Sequence, residues 1–157
     1  MNEIKKVLQK FEYGIYIISM GKGNEGNAFT ASWLTQVSSE PHIVALSVNN
    51  KHQSTRLLIE HKSFVVNLLA KGQEGVAKTY FGPAESGYEK LKSANITNAP
   101  VSGSPIINGA AGYLDCEIIN SVEVGNHTVY FGEVKAAELD QNKQIMTTSN
   151  SNLKYSG

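Results

Sequence analysis

The apolar positions change period several times along the chain, and each change marks a different element. Residues 3–11 place Ile4, Val7, Leu8 and Phe11 at i, i+3, i+4 and i+7, the stripe of a short amphipathic helix. From Tyr13 to Met20 the chain is rich in Ile and Tyr, which predicts a strand. A Gly/Asn loop, GKGNEGN at 21–27, leads into a second strand-like run, AFTASWLTQVS, and Pro41 marks a break. HIVALSVN at 42–49 predicts a third strand, apolar enough to suggest burial on both faces. NKHQST then leads into RLLIEH, a short helix with Ser54 or Thr55 as its N-cap. SFVVNLL at 63–69 predicts a fourth strand. Residues 73–94 suit two short helices around the breaker FGPAESG, and 95–110 predict irregular chain.

The clearest local signal comes later. GYLDCEIINSVEV and HTVYFGEVKAAEL are both strand-like and are separated only by Gly125-Asn126, which predicts a tight hairpin. In the first arm Leu114, Cys116 and Ile118 share one face while Asp115 and Glu117 share the other. The tail, TTSNSNLKYSG, predicts loose order. At least six strands with a few short helices, and no internal repeat, point to a mainly β protein: an antiparallel barrel with helical decoration, in one domain over 1–157.

Composition narrows the function classes. With 14 basic and 14 acidic residues the formal net charge is zero, which argues against non-specific nucleic-acid or membrane-surface binding. Cys116 is the one cysteine, so no intramolecular disulfide can form and a reducing compartment is expected. The N-terminal MNEIKKVLQKFEYG has no apolar signal region, and no apolar run nears the about 20 residues of a membrane span. A cytoplasmic protein is the expectation.

Gly21, Gly23 and Gly26 spell G-x-G-x-x-G after a strand, but NAFTASW follows where a dinucleotide fingerprint needs a helix. A hairpin loop fits better. The histidines at 42, 52, 61 and 127 show no metal-ligand spacing, and no G-x-S-x-G is present, so no metal site and no hydrolase nucleophile is predicted. Two segments remain. SVNNKHQST at 47–55 runs from a strand end to a helix start and carries Ser47, Asn49, Lys51, His52, Ser54 and Thr55. Free amides at a helix start, hydroxyls and a lysine would suit a phosphate, and the same residues suit an ordinary capped turn. NAFTASWLTQVS at 27–38 alternates Thr30, Ser32, Thr35, Gln36 and Ser38 with apolar residues and holds Trp33. A flavin ring needs that mixture, and a strand with a polar outer face shows it too.

Taken together, YGIYIISM, GNAFTASWLTQVS, EPHIVALSVNNKHQST, FVVNLL, the FG at 81–82 and VGNHTVYFGEV resemble the flavin-reductase-like family of FMN-binding split β-barrels, in the family's order and over roughly residues 11–137. The likeness is greatest to flavoredoxins and to the flavin-reductase domains associated with rubredoxin and flavodiiron proteins. The resemblance implies a homodimer, FMN as bound cofactor, and NADH or NADPH as reductant. It implies that Thr30, Ala31, Ser32, Trp33 and Thr35 line the isoalloxazine and ribityl chain. Ser47, Val48, Asn49, Lys51, His52, Ser54 and Thr55 would hold the ribityl phosphate. The family's G-D-H word falls on Gly125-Asn126-His127, with asparagine in place of aspartate, and His127 would position the nicotinamide. The implied activity is hydride transfer from nicotinamide C4 to flavin N5, with electrons passing to a rubredoxin-like or flavodiiron acceptor. The alternative is a non-enzymatic FMN electron-transfer protein reduced by a partner, which the Asn126 departure motivates.

Overall fold

In the computed structural model, residues 2–82 and 84–153 are described, and the side chains of 84–86 are not. Pro83 of the predicted FGPAESG loop and residues 154–157 of the tail lie outside them. The strands are β1 (Tyr16–Met20), β2 (Asn27–Ala31), β3 (Leu34–Ser39), β4 (His42–Asn49), β5 (Ser63–Leu68), β6 (Ile96–Asn98), β7 (Pro105–Ile107), β8 (Gly112–Val124) and β9 (His127–Leu139). The helices are α1 (Glu3–Leu8), α2 (Thr55–His61), α3 (Glu74–Thr79) and α4 (Ala84–Ser93).

Seven strands form one antiparallel sheet in the order β2-β1-β5-β8-β9-β4-β3. β2 and β3 are consecutive in the chain yet lie at opposite edges, so the sheet curls and the link between them crosses its gap. The run 28–38, predicted as one strand, is therefore two. It breaks at Ser32 and Trp33, where Leu34 N donates to Ser32 O at 3.1 Å and Ser47 N donates to Trp33 O at 3.0 Å. These bonds replace the ladder bonds that the crossing segment gives up.

Inside the curl lies a core of Ile18, Met20, Phe29, Leu46, Val48, Leu58, Phe64 and Val66. The opposite faces of β1 and β2 pack a second cluster, Ile17, Ala28, Leu69, Tyr80, Leu91 and Met146. Consecutive residues Ile17 and Ile18 thus serve two cores, which is why β1 is buried on both faces. β4 differs from its prediction here. Val44, Leu46 and Val48 are buried, while Ile43, Ala45 and Ser47 on the outer face are only half-covered. An apolar strand needs both faces packed only when two layers cover it. Here the second layer is partial, and a cavity lies on that face.

The β8–β9 hairpin follows the sequence pattern. Val124 pairs with His127 across a two-residue turn in which Gly125 has φ +59°, a conformation costly for any residue with a side chain. The segment 95–110, predicted irregular, contains the small β6–β7 sheet. Buried Asn67 ties it to the barrel: its Nδ2 donates to Ile17 O and Ser19 Oγ, both at 3.0 Å, and its Oδ1 accepts from Ile107 N at 2.8 Å. Asp115, also buried, accepts from Val101 N and Ser102 N at 2.8 and 3.0 Å. Such three-residue strands need anchors of this kind, since their own ladder is too short to hold them. α1 forms as predicted, but its stripe covers no core: Ile4 is 70% and Val7 61% exposed.

Candidate functional site

β4 and β9 pair in a register that decides which side chains meet. Ala45 opposes Phe131, Ser47 opposes Val129 and Asn49 opposes His127, all on the face turned away from the barrel core. β3 adds Thr35 opposite Ala45. The Trp33 indole then lies against the His127 imidazole, with ring centroids 4.9 Å apart and planes 36° apart. Such a tilted pair is worth roughly 0.5–1.5 kcal/mol beyond its buried area. The N-terminal segment Glu12–Tyr16 closes the other side. The result is a cavity of about 590 Å³ walled by Tyr13, Gly14, Tyr16, Trp33, Leu34, Thr35, Ala45, Ser47 and Val129, with Glu12 also lining it. Its volume falls in the range of sites that hold a drug-sized or cofactor-sized ligand, and its walls mix rings and aliphatics with a few hydroxyls.

The register therefore brings together Trp33, Thr35, Ser47, Asn49 and His127 among the residues singled out in the sequence. The others fare differently. Val48 points into the core at 3% exposure, so its side chain cannot touch a ligand on the outer face, and that assignment is corrected. Thr30 Oγ1 donates to Ala77 O at 2.6 Å, which commits its proton to α3. Ala31 opposes Tyr16 on β1 and packs on the barrel core. Ser32 is buried in the crossing bend and its Oγ has no protein partner.

The 47–55 bend also differs from the sequence picture. Its amides are not free: Lys51 N donates to Asn49 Oδ1 at 3.0 Å and His52 N to Asn49 O at 2.9 Å. Ser54 N donates to His52 Nδ1 and Thr55 N to His52 O, both at 3.2 Å. Thr55 Oγ1 donates to His52 O at 2.8 Å. A cradle of backbone donors is thus absent at these four positions, because short polar side chains close the bend on itself. What the bend exposes is the Lys51 side chain, while the Ser54 hydroxyl is buried. Ser54 is wholly buried as the N-cap of α2, yet its Oγ makes no capping bond and has no protein partner. A buried hydroxyl left unpaired costs about 1–3 kcal/mol. Ser32 and Ser54 are thus two buried hydroxyls that no described protein group satisfies.

His52 is a neutral spacer in this bend. Its ring packs on Phe29 at 4.4 Å between centroids, and burial pulls its pKa below the ordinary 6.5. With Nδ1 accepting from Ser54 N, its proton sits on Nε2. At the hairpin tip His127 Nδ1 lies 2.7 Å from Asn126 Oδ1, and Asn50 ties the bend to the hairpin by accepting from Thr128 Oγ1 at 2.6 Å.

Sequence reasoning missed the N-terminal wall. Tyr13 and Tyr16 stand in a run that reads as an ordinary strand, and the available signal was the glycine between two tyrosines, Y-G-x-Y, at a strand start.

The fold and the cavity define an open, split antiparallel β-barrel with an aromatic-walled cleft on the outer face of its β3–β4–β9 edge. A family profile described as "Flavin reductase like domain" matches residues 8–156, and the chain belongs to that family. The NADH-dependent FAD reductase of Streptomyces globisporus is 29% identical over 136 residues, covering 86% of this chain and 74% of that protein. The solved structure of the S. globisporus C-1027 NADH:FAD oxidoreductase SgcE6 superposes with a TM-score of 0.85 at 28% identity, over 92% of this chain and 86% of that one. A second structure of that oxidoreductase, in complex with NAD and FAD fragments, gives a TM-score of 0.84 at 27% identity. Diflavin flavoprotein A 1 of Synechocystis sp. is 27% identical over 137 residues, 85% of this chain but 23% of that protein. The chain thus spans about a quarter of the diflavin flavoproteins it matches. Among the described residues no helix is long and apolar enough to cross a membrane.

Proposed function

We propose that this chain is a single-domain, cytoplasmic NAD(P)H:flavin oxidoreductase. The observation that carries the reading is the β4–β9 register. It puts Ser47, Asn49, Val129 and His127 on one face; Ser47 and Val129 line, with Trp33, a cavity of about 590 Å³, and His127 lies against the Trp33 ring, in a chain of the flavin reductase like family. Bound flavin supplies the hydride acceptor, so no protein nucleophile is needed for the first step. The chain's own tasks are to bind, orient and shield.

Trp33, Thr35 and Ser47 wall the ring site, with Ala31 at the end of β2 and Ser32 in the crossing bend supporting it. Lys51 supplies the cation and Ser54 the hydroxyl for the ribityl phosphate, with Asn49, His52 and Thr55 holding the bend in shape. His127 orients the nicotinamide against the indole. FMN and FAD share the ring and ribityl phosphate that these residues address, and FMN is the bound form we favour. A homodimer is supported by the exposed apolar stripe of α1 and by Ile119, Val122 and Val124 on the projecting hairpin arm. Likeness to one segment of diflavin flavoproteins supports a flavoprotein partner, and a rubredoxin-like or flavodiiron electron acceptor is the one we propose.

The test is the visible spectrum of the purified protein loaded with FMN, followed by anaerobic addition of NADH and NADPH. Bleaching of the flavin band by a nicotinamide is the expected result. A flavin that binds but is reduced only through a partner protein would replace the enzyme by an electron carrier. A protein that binds no flavin would end the reading.

A further inference from the structure

Gly14 and Tyr16 sit two residues apart on the N-terminal wall, and both line the cavity. A Cβ placed on Gly14 would lie 2.2 Å from Tyr16 Oη and 2.5 Å from its Cζ. The phenol is therefore folded back against bare backbone, in a position that any side chain at 14 would deny it. This is a steric demand and not a conformational one, since Gly14 is absent from the positive-φ glycines.

The ring of Tyr16 packs on the barrel core, with Ala31 and Leu68 as its partners on the two neighbouring strands. Its hydroxyl has no protein hydrogen-bond partner among the described residues. Burial pushes its pKa above the ordinary 10, so the oxygen keeps its proton at any physiological pH and acts as a neutral donor. Leu34, Ala45 and Val129, which share the cavity's lining with Glu12, Thr35 and Ser47, offer that proton no side-chain acceptor. A phenol body held in an apolar seat with its donor end presented to a cleft is the arrangement that orients a flat ligand through one polar contact.

We propose that Tyr16 Oη donates a hydrogen bond to a carbonyl on the planar heteroaromatic ligand of this cavity, making Tyr16 the residue that sets how the ring lies. The acceptor is a ring carbonyl of flavin or the carboxamide of nicotinamide, and the inference rests on the flavin reading above. Gly14 serves it by leaving room for the phenol.

Tyr16→Phe tests this, because it removes one oxygen and keeps the packed ring. FMN is titrated into wild type and Y16F by quenching of flavin fluorescence, and NAD⁺ is then titrated into each FMN-loaded protein. Loss of one net hydrogen bond predicts about fivefold weaker binding of one of the two. A weaker FMN complex with a displaced flavin absorption maximum assigns the bond to the isoalloxazine; a weaker NAD⁺ complex with unchanged FMN binding assigns it to the carboxamide. Gly14→Ala, whose methyl must push the phenol aside, should reproduce the same loss. Changes below twofold for both ligands in both variants, with wild type binding FMN, overturn the role of Tyr16 and leave the flavin reading intact. Wild type that binds no FMN overturns both.

Discussion

Replacing Ser54 by alanine should move stability and ligand affinity in opposite directions. The Ser54 side chain is 0% exposed, stands at the N-cap of α2, and makes neither a capping bond nor any other protein hydrogen bond through Oγ. Deleting a hydroxyl that has lost water and gained no partner relieves a desolvation cost of roughly 1–3 kcal/mol. Against this stands the space left behind, one oxygen in volume, which removes part of the gain. A net stabilisation of about 1 kcal/mol raises the melting temperature of a domain this size by roughly 2–4 °C. If the hydroxyl is completed by the ribityl phosphate, the same substitution removes a charge-assisted bond worth about 1.5–3 kcal/mol, or roughly 10- to 150-fold in FMN affinity. Riboflavin has the ring and lacks the phosphate, so its affinity should stay within twofold. The assay is a thermal melt of the ligand-free protein together with FMN and riboflavin titrations by fluorescence. A ligand-free S54A that melts lower than wild type would refute the orphaned-hydroxyl argument. FMN and riboflavin weakening equally, or FMN binding unchanged, would remove Ser54 from the phosphate site.

Other parts of the structure give predictions of their own. Gly132→Ala places a methyl 2.7 Å from Phe64 Cζ and 2.9 Å from Cys116 Cβ, inside the barrel core. Overpacking of that kind costs about 1–3 kcal/mol, so the melting temperature should fall by several degrees, and an unchanged melt would contradict the geometry. Cys116 is buried, and burial together with the adjacent Asp115 charge pushes its thiol pKa up to about 12. Native protein at pH 8 should therefore resist a thiol reagent that labels it fully in denaturant. His52 has a folded-state pKa below its ordinary 6.5, because burial disfavours the imidazolium. Near pH 7.5 both folded and unfolded forms are largely neutral and no penalty arises. As pH falls through 6.5 the unfolded chain takes up a proton that the folded one resists, and stability is lost towards the folded pKa. A His52→Gln variant should show a shallower fall in melting temperature between pH 7 and 5; equal slopes would mean the ring ionises freely in place.

How much of this was legible follows from which residues carry local markers. The bounds of the β8–β9 hairpin were readable to the residue because its turn needs Gly125, whereas the register shifts at Asp115/Cys116 and Ile118/Asn120, and the burial of Asp115 beside Cys116, carry no local marker. The division of 28–38 into β2 and β3 was hidden. Neither Ser32 nor Trp33 is a breaker, and the bend exists because the barrel gap must be crossed, which is a property of the whole sheet. β6 and β7 were hidden for a related reason, since they are anchored through Ile107 N by Asn67, 40 residues upstream, and not by their own sequence. In α1 the stripe was read correctly as a helix, yet period alone does not say whether the covering surface belongs to the same chain.

The site shows the same division at a finer grain. Residue types suited to a flavin could be listed from the sequence, but which of them face one cleft depends on strand parity. Ser47 and Val48 are neighbours with equal claims on paper. Pairing Ser47 with Val129 and Val48 with Thr128 sends the first to the cavity wall and the second into the core. A slip of one residue between β4 and β9 would exchange them, expel Val44, Leu46 and Val48 from the core, and turn His127 away from Trp33. The same alternation that buries three aliphatic side chains thus fixes the composition of the cleft. Registers that would rearrange the site are excluded by the cost of exposing the core, so the barrel's stability and the identity of the cleft-facing residues depend on one set of contacts.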